Sequence, residues 1–591
     1  MNAVSPLFLL RALVLAGLIS RARGAAGDTD TAFAPNPNNN MSGSLVQPDG
    51  ASVLLGNFTS VGGASHSFLA RLTQAGAVDA SFIASSAGGA GFTNPGVFCG
   101  AVQQDGRIVI GGLFAFVNGT SRNFVGRVLA NGSLDTGYTA SSGDQIRGIA
   151  IQPDGKIVAV GYFSTMNGVS RGRVARLNAD GTLDETFNPI ASATTRSVAL
   201  QPDGKIVIGG SFTSVGGVPR NHAARVNADG TLDTGFDPNV SGDVYSVAVQ
   251  PDGKIIFGGT FSTVGGTARS NIARVNAGGS LDTAFNPGAN GNVRTSSLQA
   301  DGRILIGGEF STAGGASRSR IARLNADGTL DQSFNAVANN TVFGLTLQAD
   351  GRILACGQFS TVGGAARDNL ARLLNDPATQ SITVASSSRL EWQRGGSSPE
   401  TNAVTLETSI DGGAAWSTPV AGARITGGWE FTGLALPSSG MVRLRARTAG
   451  GYNNGTAGLV ETVSVLNPPT PLQEWRRIHF GSPDDSGPGA NNADPDSDGV
   501  ENLAEFAFDL DPKTPDAAFL PEWKTQDDDL VLTFVRPENA GELTYTAEYN
   551  TTLDAAGWTA IPNSAVPPLY TWYAPVGINR RLYLRLRVSV P

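Results

Sequence analysis

Residues 244–261 read VYSVAVQPDGKIIFGGTF, two β-rich stretches with the turn Gln250-Pro251-Asp252-Gly253 between them. Pro251 fixes φ and Gly253 is free to take positive φ, so the chain reverses here. Further on, Val264-Gly265-Gly266 makes a second turn, residues 271–276 a third strand and residues 280–285 a fourth. The strands are apolar on both faces, as expected of a sheet sandwiched between two others.

The same phrase, or a close variant, ends at Gly50, Gly106, Gly155, Gly204, Gly253, Gly302 and Gly351, in steps of 56 and then 49 five times over. Four short strands in about 49 residues are the content of a propeller blade, so seven copies predict a seven-bladed β-propeller. A three-residue loop, Ala228-Asp229-Gly230, sets Val226 opposite Leu232 and Arg225 opposite Asp233. The eight-residue spacing recurs as Arg71/Asp79, Arg127/Asp135, Arg176/Asp184, Arg274/Asp282 and Arg323/Asp331, which reads as one structural ion pair per blade. The seventh copy has Arg372 but no aspartate eight residues on. Asp30-Thr31-Ala32-Phe33 supplies the missing strand. Phe33 precedes Gln47 by the offset of Phe236 before Gln250, so the N-terminal strand is expected to complete the last blade.

The phrases at Gln201-Pro-Asp-Gly-Lys-Ile, Gly209-Gly-Ser-Phe and Ala224-Arg-Val-Asn-Ala-Asp-Gly-Thr-Leu-Asp resemble the delta-60 repeat of secreted bacterial proteins. The resemblance covers residues 28–376. It implies a β-propeller and export, and it brings no catalytic residues with it.

The 591 residues exceed one core, and 76 glycines with only 16% charged residues suit short strands and tight turns. Residues 1–26 read as a signal peptide: Arg11, an apolar run from Ala12 to Ile19, and small residues at Gly24-Ala25-Ala26. The run is about half of the ~20 residues that a spanning helix needs, and no membrane span is expected after cleavage. The net charge of −8 disfavours nucleic acid. Cys99 and Cys356 fall on non-neighbouring blades and read as small buried apolar residues.

Residues 377–467 alternate as strands, with Val442, Leu444 and Ala446 opposite in facing to Arg443, Arg445 and Arg447, and resemble an immunoglobulin or fibronectin-type β-sandwich. Within it, Ser409-Ile-Asp411-Gly-Gly413-Ala-Ala-Trp416 resembles an Asp-box, a hairpin-turn device. Residues 468–516 open with a linker and a short helix capped by Thr470. An EF-like loop follows: Asp494, Asp496, Asp498, the Val500 carbonyl, Asn502 and Glu505 occupy positions 1, 3, 5, 7, 9 and 12, with Gly499 at 6. That spacing predicts a Ca²⁺ site, and it resembles the thrombospondin type 3 and dockerin-like loops. Glu501 departs from the usual apolar eighth residue. Residues 517–591 read as a small C-terminal β module. The expected fold is thus all-β and multidomain: a propeller over 27–376, a β-sandwich, a short helical calcium-loop segment and the C-terminal module.

No Ser/His/Asp arrangement, phosphate loop or zinc spacing occurs among the three histidines, His66, His222 and His479, and no catalytic residue is expected. The sequence reads as a monomeric secreted or cell-surface binding or structural protein, with loops presented to an extracellular protein or polysaccharide and the downstream modules as spacers. A glycan-active enzyme with a site assembled from propeller loops is the alternative. The extra residues at 83–96 mark one candidate loop.

Overall fold

The computed structural model describes residues 24–452, 458–526, 529–552, 557–574 and 582–590. The charged and apolar parts of the expected signal peptide lie outside the described residues. Among the described residues no helix is long and apolar enough to cross a membrane.

Seven antiparallel blades form the first part of the chain. In blade 5 the inner strand Val244–Val249 pairs with Ile255–Gly259, which pairs with Ile272–Val275. Gly253 takes φ +82° in the turn that joins the first two. The fourth strand expected at 280–285 shrinks to one bridge, Val275 to Leu281. Asp282 ends it by accepting the Ala284 amide on its own carboxylate, an aspartate-nucleated turn that competes with the ladder. Around Gly265-Gly266 the chain makes an additional two-residue hairpin, Thr263–Val264 with Thr267–Ala268.

The arginine–aspartate pairs tie blades together. Arg225 Nε donates to Asp233 Oδ2 at 2.9 Å, its guanidinium lies over Phe236 at 4.5 Å, and its Nη1 reaches the Ala277 carbonyl of the next blade at 2.5 Å. Arg176 and Arg274 repeat this with Ala228 and Ala326. The N-terminal segment closes the ring: Thr29 bridges Leu373, and the Asp30 amide donates to the Arg372 carbonyl at 2.7 Å. Arg372 Nε donates to Asp30 Oδ2 at 2.8 Å, with Phe33 beneath it at 4.4 Å, and Arg372 Nη1 continues to Gln74 of blade 1.

Residues 378–466 fold as two four-stranded antiparallel sheets around Trp392, Trp429, Leu406 and Leu444. Asp411 accepts from Ser409 Oγ and the Ala415 amide, so the Asp-box-like segment is a turn. The sandwich is not a spacer. Arg445 and Arg447 donate to the carbonyls of Gln104 and Val102, and the Glu400 amide donates to Leu298. All three partners sit at or just beyond the ends of inner strands, on the propeller face that bears the Asp-Gly turns. From here Gly450–Tyr452 enters the ring and pairs with the blade 6 inner strand, Ser297 opposite Gly450 and Thr295 opposite Tyr452.

Helices α1 (Pro471–Phe480) and α2 (Asn502–Phe508) precede two three-stranded sheets. Leu472, Trp475 and Phe506 of the helices share one core with Leu532, Tyr545 and Trp572 of the sheets. The segments 468–516 and 517–591, read separately in the sequence, are therefore packed as one unit, because neither helix has enough apolar surface for a core of its own.

Candidate functional site

Two places concentrate chemistry. The first is the propeller face opposite the sandwich. Each inner strand carries a bulge near its start, and the register shifts fall at Ser42, Phe98, Arg147, Arg196, Tyr245, Arg294 and Phe343. A bulge re-aims its residue, and here seven symmetry-related residues are placed around the channel mouth. Arg147 lies over Phe98 at 4.4 Å and over Tyr162 at 5.3 Å. Arg196 lies over Tyr162 at 5.8 Å and Tyr245 at 5.2 Å, and Arg294 over Tyr245 at 4.2 Å. The result is an arc of alternating aromatic rings and guanidinium groups across blades 2–6. Arg294 is held by Glu309 through Nε and Nη2 at 2.8 and 2.6 Å. Arg196 faces Asp243 at 3.5 Å, and His222 faces the same carboxylate at 3.6 Å. Residues 83–96 border the same face: Asn57 Nδ2 bonds the carbonyls of Asn94 and Pro95, and Phe92 stacks on Phe124 at 5.6 Å. The sequence hid this arc because the inner strands are apolar on both faces, so one inserted residue leaves no break in a period-two pattern.

The second place is the acidic loop. Carboxylate oxygens of Asp494, Asp496 and Asp498 lie within 4.8 Å of one another. The loop shape is set locally. Asp494 accepts the amides of Asp498 and Gly499, Asp498 accepts that of Val500, and Gly499 takes φ +93°. Val500 is buried, and α2 then carries Glu505 inward. Glu505 is 0% exposed, and neither of its carboxylate oxygens has a hydrogen-bond partner. Burial, and then the nearby Asp496, Asp498, Asp516 and Asp494, push its carboxyl up to about 7. Asn502 has a structural task as well: its Nδ2 donates to the carbonyls of Pro488 and Ala490, while its Oδ1 has no partner.

Asp516 was missed by the twelve-residue template, because it lies beyond the loop. Its amide and that of Ala517 both donate to Asp498 Oδ2 at 2.7 Å, and its own Oδ1 is buried without a partner. The donor set is therefore all oxygen, with unsatisfied atoms on Asp496, Asn502, Glu505 and Asp516. Such a set fits a hard divalent cation like Ca²⁺.

Cys99 and Cys356 are buried and free, and burial raises both thiols.

Residues 47–82, 103–138, 152–187, 201–236, 250–285, 299–334 and 348–376 match the family described as a domain of unknown function (DUF5122) beta-propeller. No curated protein matches. Among solved structures, the chain is similar to the WD40 β-propeller domain of Doa1, at 14% identity and a TM-score of 0.40, over 59% of this chain and 96% of that one. It is similar also to PorZ, described as a bacterial surface component of the type-IX secretion system of Porphyromonas gingivalis. There the identity is 13% and the TM-score 0.35, over 72% of this chain and 60% of that one.

Proposed function

We propose that the chain is a secreted or cell-surface binding protein, not an enzyme, whose propeller offers one face to an extracellular protein or polysaccharide. One observation carries the reading. The sandwich packs on the Asp-Gly-turn face at blades 1, 2, 6 and 7 and sends Gly450–Tyr452 into the ring, while seven bulges place side chains around the opposite mouth. Building the same bulge seven times re-aims one residue of every blade toward the same surface, which a scaffold alone does not need. The test is a glycan array and a pull-down of extracellular material with the full chain, read beside a variant carrying Tyr162→Ala and Tyr245→Ala. Binding without turnover that is lost in the variant supports the reading. Binding that the variant retains moves the site elsewhere, and released sugars make it an enzyme.

The acidic loop takes Ca²⁺ as a structural ion, held by Asp494, Asp496, Asp498, the Val500 carbonyl, Asn502 and Glu505, with Asp516 as a further ligand. The supporting observation is Glu505: a carboxylate buried beside four others is strongly disfavoured unless a cation meets it.

A further inference from the structure

Arg147 differs from the other two arginines of the arc. Arg294 is neutralised by Glu309, and Arg196 faces Asp243. Arg147 has no hydrogen-bond or ion-pair partner among the described residues, although Phe98 and Tyr162 stack on it. Aromatic rings over the faces of a guanidinium leave its in-plane donors free; Arg147 Nε is buried without a partner, so the two Nη groups are the donors left for a planar, two-oxygen acceptor. The chain as a whole is acidic, at −8, yet this arc sets three arginines against two carboxylates. Arg147 is the uncompensated charge.

The depth of the site limits what can sit there. Tyr452 of the inserted segment pairs with Thr295, the residue next to Arg294, so the ring is filled almost to the level of the arc. A ligand lies across the face instead of entering it. The ring is closed at the Thr29–Leu373 bridge, so it leaves no gap between its first and last blades for a peptide to add a strand. The surface offers aromatic edges, the phenol groups of Tyr162 and Tyr245, and the Arg147 guanidinium, which suits a chain of hydroxyls with periodic carboxylates.

From this we infer that the open face binds a carboxylate-bearing polysaccharide, a uronate polymer, with Arg147 pairing to a uronate carboxylate. The inference rests on the one-sided binding face argued above. The experiment uses the full chain in affinity electrophoresis and titration calorimetry against alginate, with dextran, dextran sulfate and polyglutamate beside it. Alginate should bind, dextran should not, and added salt should weaken binding. Arg147→Gln should lower alginate affinity by about tenfold or more, whereas Arg147→Lys, which keeps the charge without the planar fork, should recover only part. An unchanged melting point keeps the loss local. Alginate affinity unaffected by Arg147→Gln overturns the inference, as does equal binding of dextran sulfate or polyglutamate. Absence of alginate binding, with another ligand still lost in the Tyr162→Ala, Tyr245→Ala variant, overturns the uronate assignment and leaves the binding face standing.

Discussion

Arg323 and Glu505 are both 0% exposed, and their surroundings could hardly differ more. Arg323 meets Asp331 at 2.7 Å, Asp376 at 2.9 Å and Asn375 at 2.5 Å, all from its own propeller. Glu505 meets no donor at all, only further carboxylates. The propeller supplies the counter-charge of every arginine in its belt from its own residues. Around Glu505 the C-terminal unit gathers carboxylates and offers no hydrogen-bond donor. The two buried charges thus differ in whether the fold itself supplies their partners.

The largest effect should come from removing a counter-charge that the propeller does supply. Asp30→Ala leaves Arg372, with its side chain 4% exposed, without its carboxylate. Breaking a buried pair from one side costs about 3–5 kcal/mol. Deleting residues 27–34 should cost more, since Phe33, 2% exposed, goes with it and two sheet edges open at once. Calorimetric melting and light scattering are the measurements: the propeller transition should fall and aggregation rise. A deletion variant that melts like the parent would show that the ring does not depend on its clasp.

Next in size is the ion itself. Chelation should lower the melting transition of the C-terminal unit and leave that of the propeller in place. At a hundredfold excess over its dissociation constant a ligand adds about 2.7 kcal/mol. Glu505→Gln gives the opposite sign without metal: removal of the buried charge should raise the melting point of the chelated protein, while most of the response to Ca²⁺ disappears. A fall in the chelated variant would mean that Glu505 is already satisfied by something other than an ion.

Why one half of this comparison was legible in the sequence and the other only partly follows from the spacing of the partners. Arg225 and Asp233 are eight residues apart around a three-residue loop, so local turn geometry sets them opposite each other. Even the long-range clasp was readable, because Asp30 and Phe33 repeat the pattern of Asp233 and Phe236. The clustering of Asp494, Asp496 and Asp498 was readable for the same local reason. Asp516 was not, since it reaches Asp498 from outside any fixed spacing. The insertion of Gly450–Tyr452 into the ring was equally hidden: three small or polar residues carry no apolar pattern, and their partner, Val293–Leu298, lies more than 150 residues away.

A smaller effect, again of opposite sign in its origin, is the acid response of the propeller. The hydrogen bond from Lys205 and then that from Arg225 hold the Asp233 carboxyl below the ordinary aspartate range, against the opposing push of burial. Asp184 is held low in the same way by Thr186, Lys156 and Arg176 in spite of burial. A depressed folded-state pKa contributes stability that is present above the unfolded value of about 3.9 and is lost as pH falls through the folded value. The propeller should therefore keep its melting point from neutral pH down to about 5 and lose it progressively below about 4. A melting point that drops between pH 7 and 5 would contradict the assignment of these pairs.

The smallest expected effect tests whether Asp516 is a ligand or only a neighbour. Its backbone already serves the loop, since the Asp516 and Ala517 amides cap Asp498 Oδ2. Asp516→Asn keeps that backbone and the side-chain size while it removes one carboxylate charge. A bound ion that uses Asp516 Oδ1 loses charge attraction, so Ca²⁺ affinity should weaken by several-fold, less than for Asp494→Ala or Glu505→Gln, where a central ligand is lost. The chelated protein should move the other way: with one negative charge fewer beside Glu505, its melting point should rise slightly. The pair of signs is what discriminates. A purely structural aspartate would lower stability in both conditions, and calcium titration calorimetry with melting curves in chelator would show it.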